Sequence, residues 1–241
     1  MSRSSVRRVR MTVTVPGRPE SGLSSCQHGP VNTGSPTASD SAGGVERPSL
    51  GDVPRPLVVV GALVVAMWAM EIVDLFPGTP FDSWGIRPRT VRGLFGIVLA
   101  PILHSGFPHL IANTIPFAIL GVAVALGSIA RFGQVICIVG VTSGLGTWIL
   151  GQSNSVHIGA SGLVFGFVTY LVARGIFARK ILWLVGGVIV MMVYGGILWG
   201  LLPRPGVSWT GHVFGAVGGV LAAWVLHGQT DDIRNDPATN L

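Results

Sequence analysis

The chain has 241 residues, of which 49% are hydrophobic, only 11% are charged and 35 are glycine. A soluble globular domain carries roughly 25% charged residues, so this composition excludes an ordinary soluble protein. The net charge is +6, but 15 of the 16 basic residues are scattered arginines rather than a polybasic block, so we expect no nucleic-acid partner. Two cysteines, Cys26 and Cys137, are too few for a disulfide framework or a zinc site. We therefore expect no metal and no cofactor.

The predicted elements begin with a polar tail. Residues 1–53 are rich in Ser, Gly, Pro and Arg and carry few large apolar side chains, which predicts a disordered N-terminal tail. The apolar residues lie almost entirely between Leu57 and Leu226. We therefore assign residues 54–228 to one membrane domain and residues 229–241 to a short C-terminal tail.

The membrane domain divides into apolar runs of about 20 residues, the length that a helix needs to cross a ~30 Å hydrocarbon core. The first run covers residues 57–76, and a mixed stretch, residues 79–107, follows it with several charges and a short run broken by Gly and Pro101. This stretch predicts a long interfacial first loop, which His104 is expected to stabilise. Five further spans are predicted at about 108–127, 132–150, 157–174, 181–202 and 209–227. The predicted fold class is an all-α membrane protein with six transmembrane helices.

The basic residues of the loops predict the orientation in the membrane. If the chain has six spans, seven basic residues fall on the side that holds both termini and four fall on the other side. Positively charged loops favour the cytoplasm, so we expect a multi-pass protein of the plasma membrane with both termini cytoplasmic. The larger group is Arg47, Arg55, Arg131, Arg174, Arg179, Lys180 and Arg234, and the smaller is Arg87, Arg89, Arg92 and Arg204.

Polar residues cluster at the N-terminal ends of the second, fourth and sixth spans. His109 and Asn113 open the second span, Ser161 opens the fourth and His212 opens the sixth. These three spans run in the same direction, so their polar ends lie near one membrane face, which is the outer face in the predicted orientation. Polar groups inside a membrane are costly and are functional candidates. A serine, a histidine base and further hydrogen-bond donors are what acyl transfer requires, so the arrangement predicts a serine hydrolase.

Glycines spaced four residues apart follow two of these spans. Such small residues let helix backbones approach closely, so we expect the fourth and sixth spans to bring Ser161 within hydrogen-bond reach of His212. The glycines are Gly162 and Gly166 on the fourth span and Gly211, Gly215 and Gly219 on the sixth.

Three motifs together resemble the rhomboid intramembrane serine proteases in order and spacing. They are His109-x-x-x-Asn113, Gly159-Ala160-Ser161-Gly162 and Gly211-His212-x-x-Gly215-x-x-x-Gly219. The resemblance covers residues 55–227. It implies a six-helix rhomboid-type bundle in the lipid bilayer that hydrolyses peptide bonds in or near transmembrane segments of substrate proteins, without metal or cofactor.

The resemblance also implies a role for each matching residue. Ser161 is implied as the nucleophile and His212 as its base, with no third catalytic residue. His109 and Asn113 are implied to line the oxyanion hole together with the backbone N–H of Ser161. Phe165 stands where the family often has tyrosine, and its ring is expected to stack on the base. Structural support is expected from Gly159, Gly162, Phe165, Gly215 and Gly219.

Other interpretations of these residues remain open. His157, one turn before the serine on the expected helix, is a rival base, and His109 and Asn113 could serve only to tie the first loop to the second span. Glu71 and Asp74 are compatible with a proton or ion path in a small transporter. For the whole chain, the alternative to a protease is a rhomboid-like non-catalytic module that binds transmembrane clients.

Overall fold

A computed structural model describes the protein at residues 53–76, 78, 81–177, 181, 185–186, 188, 200–204 and 206–228. The predictions for the N-terminal tail, for the C-terminal tail and for most of the fifth span fall on residues outside this set. The contiguous ranges contain residues 81–107 of the first loop and every candidate site residue.

The described ranges contain α1 (Arg55–Asp74), α2 (Val91–Leu99), α3 (Phe107–Ala125), α4 (Ile129–Leu150), α5 (Ser161–Phe177) and α6 (Trp209–Leu226). Four of these helices, α1, α3, α4 and α6, are long and apolar enough to cross a membrane, and α5 is a shorter apolar helix. The same ranges contain no β-strand, only one isolated antiparallel bridge. The all-α prediction is confirmed there, whereas the count of six spans stays a prediction.

Helix α5 begins later than the apolar pattern predicts, at Ser161 rather than at residue 157. Gly159 has a φ of +113°, a backbone conformation outside the helical region. His157 exchanges two backbone hydrogen bonds of 2.9 Å with Ile86 of the first loop, which holds it in an extended conformation. The prediction that His157 lies on the same helix as Ser161 is therefore wrong.

The first loop folds into short helical pieces between α1 and α3. The 3-10 helices Phe81–Trp84 and Ala100–Ile102 lie on either side of α2. Thr90 begins α2, because its hydroxyl accepts a hydrogen bond from the backbone N–H of Gly93 at 3.1 Å. A Cβ at Gly93 would overlap the carbonyl oxygen of Arg87, so glycine allows α2 to lie directly on the preceding backbone. The loop is thus packed on itself.

Arg89 fastens the first loop to the end of α4. Its guanidinium donates to the carbonyl oxygens of Ile149 and Gly151 at 2.7 and 3.0 Å and to the hydroxyl of Ser153 at 2.6 Å. The last carbonyl groups of a helix have no partner within it, and a cation at that end is favoured by the helix dipole. The loop is therefore attached to the backbone that leads into α5.

One face of α3 packs into the hydrophobic core. Leu110, Phe117, Leu120 and Val124 are at most 2% exposed and recur with helical spacing. Phe117 packs on Phe167 of α5 with ring centroids 5.6 Å apart. Helix α6 packs most extensively against α5 and α4. These contacts hold α3 and α6 against α5.

Candidate active site

The N-terminal ends of α3, α5 and α6 surround one cavity of about 1170 Å³. Sites for small molecules usually measure about 300–1,000 Å³, so this cavity has room for a peptide segment. Its walls include the candidate residues Ser161, His212, His109, Asn113 and Phe165, together with Asp82, Pro203, Arg204 and Trp209.

The structure brings Ser161 and His212 into direct contact. Ser161 is the first residue of α5, and His212 lies in the first turn of α6. Ser161 Oγ is 2.7 Å from His212 Nε2, and His212 Nδ1 is 2.7 Å from the carbonyl oxygen of Gly200. A carbonyl oxygen only accepts hydrogen bonds, so Nδ1 carries the proton and Nε2 of the neutral ring accepts from the serine hydroxyl. This is the geometry of a nucleophile and its base.

The group that orients the histidine is a backbone carbonyl. Gly200 occupies the place that a carboxylate has in a Ser-His-Asp triad. Sequence reasoning missed it, because every residue carries a carbonyl group and only the conformation of the chain before α6 selects this one. A neutral partner also avoids the cost of an ionised carboxylate in a buried, apolar setting.

The ring of His212 is stacked on Phe165. The two ring centroids are 4.5 Å apart and the ring planes are inclined by 15°. Phe165 follows Ser161 by one turn of α5, which places both side chains on the same face of that helix. Both rings are buried. The stack therefore restricts rotation of the imidazole and keeps Nε2 directed at Ser161.

His109 and Asn113 lie one turn apart on α3 and line the same cavity as Ser161. The Asn113 amide donates to the backbone carbonyl of His109 at 2.8 Å, and His109 Nδ1 lies 3.3 Å from the hydroxyl of Ser105. A side-chain amide carries two N–H groups. The second N–H makes no hydrogen bond to the described residues, so it is available to a ligand in the cavity.

Gly159 allows the ring of His109 to approach the start of α5. A Cβ at this position would come within 2.7 Å of the imidazole, and the φ of +113° is one that L-residues rarely adopt. The backbone N–H of Gly159 donates to the carbonyl of Ala100 at 2.8 Å. Glycine is thus required here both for the turn and for the position of His109.

Helices α5 and α6 touch through their backbones. A Cβ at Gly215 would overlap the carbonyl oxygen of Gly162, and a Cβ at Gly219 would overlap that of Gly166. Small residues at such positions permit the closest helix packing. The contact between Gly162 and Gly215 lies one turn or less from both Ser161 and His212, so it sets the distance between the two helices at the site.

A second, smaller cavity of about 30 Å³ lies beside Ser161. A cavity of roughly 10–15 Å³ is enough to hold one water molecule. The wall includes Ser143 and Thr147 of α4, and the buried Thr147 hydroxyl makes no hydrogen bond to the described part of the chain. Sequence reasoning missed this pair, although two hydroxyl residues four apart in an apolar helix are a readable signal. The cavity is polar and large enough to hold water.

Glu71 and Asp74 contact the first loop and the start of α3. Asp74 Oδ1 accepts a hydrogen bond from the backbone N–H of Phe81 at 3.0 Å, and the Glu71 side chain is buried close to Gly106. The Asp74 carboxylate therefore holds the first loop against the end of α1. Within the described ranges, no three His, Cys, Asp or Glu side chains are grouped so that they could hold a metal ion.

His104 makes the stability of the protein dependent on pH. The ring is 1% exposed and lies 5.2 Å from the ring of His109. Burial, with a smaller contribution from His109, lowers the pKa of His104 from 6.5 to about 4. The unfolded chain then binds a proton that the folded chain does not, so the free energy of unfolding decreases as the pH falls from about 6.5 to about 4, by up to about 3 kcal/mol.

We expect the melting temperature of the wild type to fall more steeply between these pH values than that of His104→Leu, which has no proton to bind. The other histidines are common to both proteins, so the difference between the two curves isolates His104. Parallel curves would contradict this account.

A family model described as the Rhomboid domain matches residues 91–229. The chain belongs to the rhomboid family. The match begins with α2, ends just beyond α6 and includes Ser161, His212, His109 and Asn113. The family predicted from the three sequence motifs is therefore confirmed.

Several bacterial proteins are similar to this rhomboid chain. An uncharacterized protein of Mycobacterium tuberculosis is 42% identical over 193 aligned residues, which cover 74% of this chain and 80% of that protein. An uncharacterized protein of Mycobacterium leprae is 38% identical over 178 residues, 70% of each chain. A Bacillus subtilis protein named "Putative rhomboid protease YdcA" is 27% identical over 148 residues, 58% of this chain and 72% of that protein. Rhomboid membership and four apolar helices make this a membrane protein.

Proposed function

We propose that the protein is an intramembrane serine endopeptidase that hydrolyses peptide bonds in or near the transmembrane segments of other membrane proteins. The observation that carries this proposal is the 2.7 Å contact between Ser161 Oγ and His212 Nε2, in a ring whose Nδ1–H is bound to Gly200. A serine that served only in helix packing would need no base oriented in this way. Membership of the rhomboid family supports the same reaction.

In the acylation step, Ser161 Oγ attacks the carbonyl carbon of the scissile peptide bond while its proton passes to His212 Nε2. The tetrahedral intermediate then collapses, the C–N bond breaks, and His212 donates the proton to the leaving amine. The substrate's acyl group remains bound to Ser161 as an ester.

In the deacylation step, water attacks the ester carbon and gives a proton to His212 Nε2. Collapse of the second tetrahedral intermediate releases the carboxylic acid, and the proton returns to Ser161 Oγ. The cavity of about 30 Å³ beside Ser161, with its hydroxyl-lined wall, supports a supply of water to this step.

The negative charge that develops on the carbonyl oxygen needs hydrogen-bond donors that are already in position. We assign this role to His109, Asn113 and the backbone N–H of Ser161. Ser161 stands at the N-terminus of α5, where the helix dipole favours negative charge. The second N–H of the Asn113 amide, which has no partner among the residues that the structure describes, supports the assignment.

The substrates are transmembrane proteins that reach the cavity from the lipid bilayer. With both termini in the cytoplasm, the site lies near the outer face of the plasma membrane. The mechanism uses no metal and no cofactor, because the serine, the histidine and the hydrogen-bond donors supply every step. Cleavage is accordingly expected at the extracytoplasmic end of a client's helix.

The purified full chain, incubated in detergent with a fluorescent transmembrane peptide, is expected to cleave it and to react with a fluorophosphonate at Ser161, located by mass spectrometry of the labelled peptide. Prior treatment with the fluorophosphonate should block cleavage. If the protein binds the peptide but neither cleaves it nor reacts with the fluorophosphonate, it is a non-catalytic client-binding module and the proposal is wrong.

A further inference from the structure

The ring of His157 joins two serines from different parts of the chain. Its Nε2 is 2.8 Å from Ser155 Oγ, and its Nδ1 is 2.8 Å from Ser208 Oγ. Ser208 immediately precedes α6, whereas His157 lies in the segment before α5. Neither ring nitrogen is directed at Ser161, so the geometry does not favour His157 as a rival base.

The hydrogen bonds around His157 have a defined direction. The Ser155 hydroxyl donates to the carbonyl oxygen of Gln152 at 2.6 Å, so its oxygen can only accept from His157 Nε2–H. Burial lowers the pKa of His157, which favours the neutral ring. With the proton on Nε2, His157 Nδ1 is an acceptor, and the Ser208 hydroxyl is its donor.

This bond diverts Ser208 from its usual role at a helix start. Ser208 is the N-cap residue of α6, yet its side chain makes no capping hydrogen bond. Serine is among the preferred N-cap residues, because its side-chain oxygen can accept from a backbone N–H that has no partner within the helix. The backbone carbonyl of Ser208 accepts from the N–H of His212 at 3.1 Å, so Ser208 begins the turn that carries the histidine.

The position of His157 is itself fixed by the first loop. Its backbone exchanges two hydrogen bonds of 2.9 Å with Ile86. A Cβ at the neighbouring Gly151 would lie 3.0 Å from His157 Nε2, so the ring is also closely packed. A continuous chain of contacts therefore runs from Ile86 through His157 and Ser208 to His212.

We infer that His157 is a positioning residue, which holds the first turn of α6 through Ser208 and thereby keeps His212 Nε2 in line with Ser161 Oγ. This inference rests on the proposed function. In this arrangement the first loop, through Ile86, helps to set the distance between Ser161 Oγ and His212 Nε2. Loss of the ring would free Ser208 to cap α6 and would let the start of the helix shift.

Two amide variants separate the two bonds of the ring. The side-chain oxygen of His157→Asn can take the place of Nδ1 and accept from Ser208, whereas the amide of His157→Gln lies near the position of Nε2 and reaches Ser155. We expect kcat to fall about 10- to 100-fold in His157→Ala and in His157→Gln, because a displacement of about 1 Å at a reacting group costs up to about 100-fold. His157→Asn is expected to stay within about threefold of the wild type, and KM is expected to change little in all three.

Serine variants give the matched comparison. Ser208→Ala is expected to lower kcat as much as His157→Ala, and the double variant is expected to fall no further, since both changes break one contact. Ser155→Ala removes the hydroxyl group that contacts the other nitrogen of the ring. Its kcat is expected to stay within about threefold of the wild-type value. Melting temperatures, and the rate of fluorophosphonate labelling at Ser161, are measured for each variant.

The inference is overturned if His157→Ala has the wild-type kcat, if only KM changes, or if His157→Gln is active and His157→Asn is not. It is also overturned if kcat falls only in proportion to the folded fraction at the assay temperature. A wild-type protein that neither cleaves the peptide nor reacts with the fluorophosphonate refutes the proposed function itself, and the two failures are thereby distinguished.

Discussion

Replacing His212 with alanine is expected to lower kcat for a transmembrane peptide by about 10³- to 10⁴-fold in a protein that remains folded. The Ser161 hydroxyl loses its 2.7 Å contact with the histidine base. General acid–base catalysis by a positioned side chain contributes about 10²- to 10⁴-fold, and a pair in direct contact is expected to lie at the upper end of this range. The corresponding rise in the activation barrier is about 4–5.5 kcal/mol. Initial rates at saturating peptide, measured at equal protein concentration and below the melting temperature of each variant, give the comparison.

Ser161→Ala is expected to show the same loss, and the double variant no further loss, because the two residues act as one unit. His227→Ala is the matched control, since it makes the same substitution at the opposite end of α6, and it is expected to keep the wild-type rate. Cleavage that survives Ser161→Ala would assign the nucleophile to another residue. An equal loss in His227→Ala would point to general destabilisation.

The helices could be predicted where long apolar runs are bounded by polar residues. Helices α3, α4 and α6 begin at Phe107, Ile129 and Trp209, within three residues of the predicted 108, 132 and 209. The candidate site could also be predicted, because an apolar chain has few side chains able to do chemistry. Serine and histidine at the starts of parallel helices must lie at the same end of the bundle, whatever the details of packing.

The features that the sequence did not predict depend on backbone groups and on loop conformation. The carbonyl of Gly200 and the extended segment before Ser161 have no side-chain signature. Arg89 was expected among the charges of an interfacial loop, but its partners are the final carbonyl groups of α4. The contact of His157 with Ser208 joins residues 51 apart in the chain, a separation at which local patterns carry no information.

Adding one methyl group at Gly215 is expected to force α5 and α6 apart. The new Cβ would overlap the carbonyl oxygen of Gly162 and lie 2.9 Å from its carbonyl carbon, and these backbone atoms cannot rotate away. Overpacking of this kind costs about 1–3 kcal/mol. Ser161 precedes Gly162 directly and His212 lies one turn before Gly215, so the same movement lengthens the distance from Oγ to Nε2. We therefore expect Gly215→Ala to lower both the melting temperature and kcat, the latter by about 100-fold.

Gly133→Ala makes the same substitution in α4, where nothing lies within 4 Å of the new Cβ. Alanine is about 1 kcal/mol more favourable than glycine inside a helix, so this control is expected to keep or raise the melting temperature and to retain wild-type kcat. If alanine lowers the melting temperature and kcat at Gly215 but not at Gly133, the loss comes from the α5–α6 contact and not from helix propensity. Wild-type behaviour of Gly215→Ala would contradict the close contact, and an equal loss in Gly133→Ala would mean that the damage does not come from this interface.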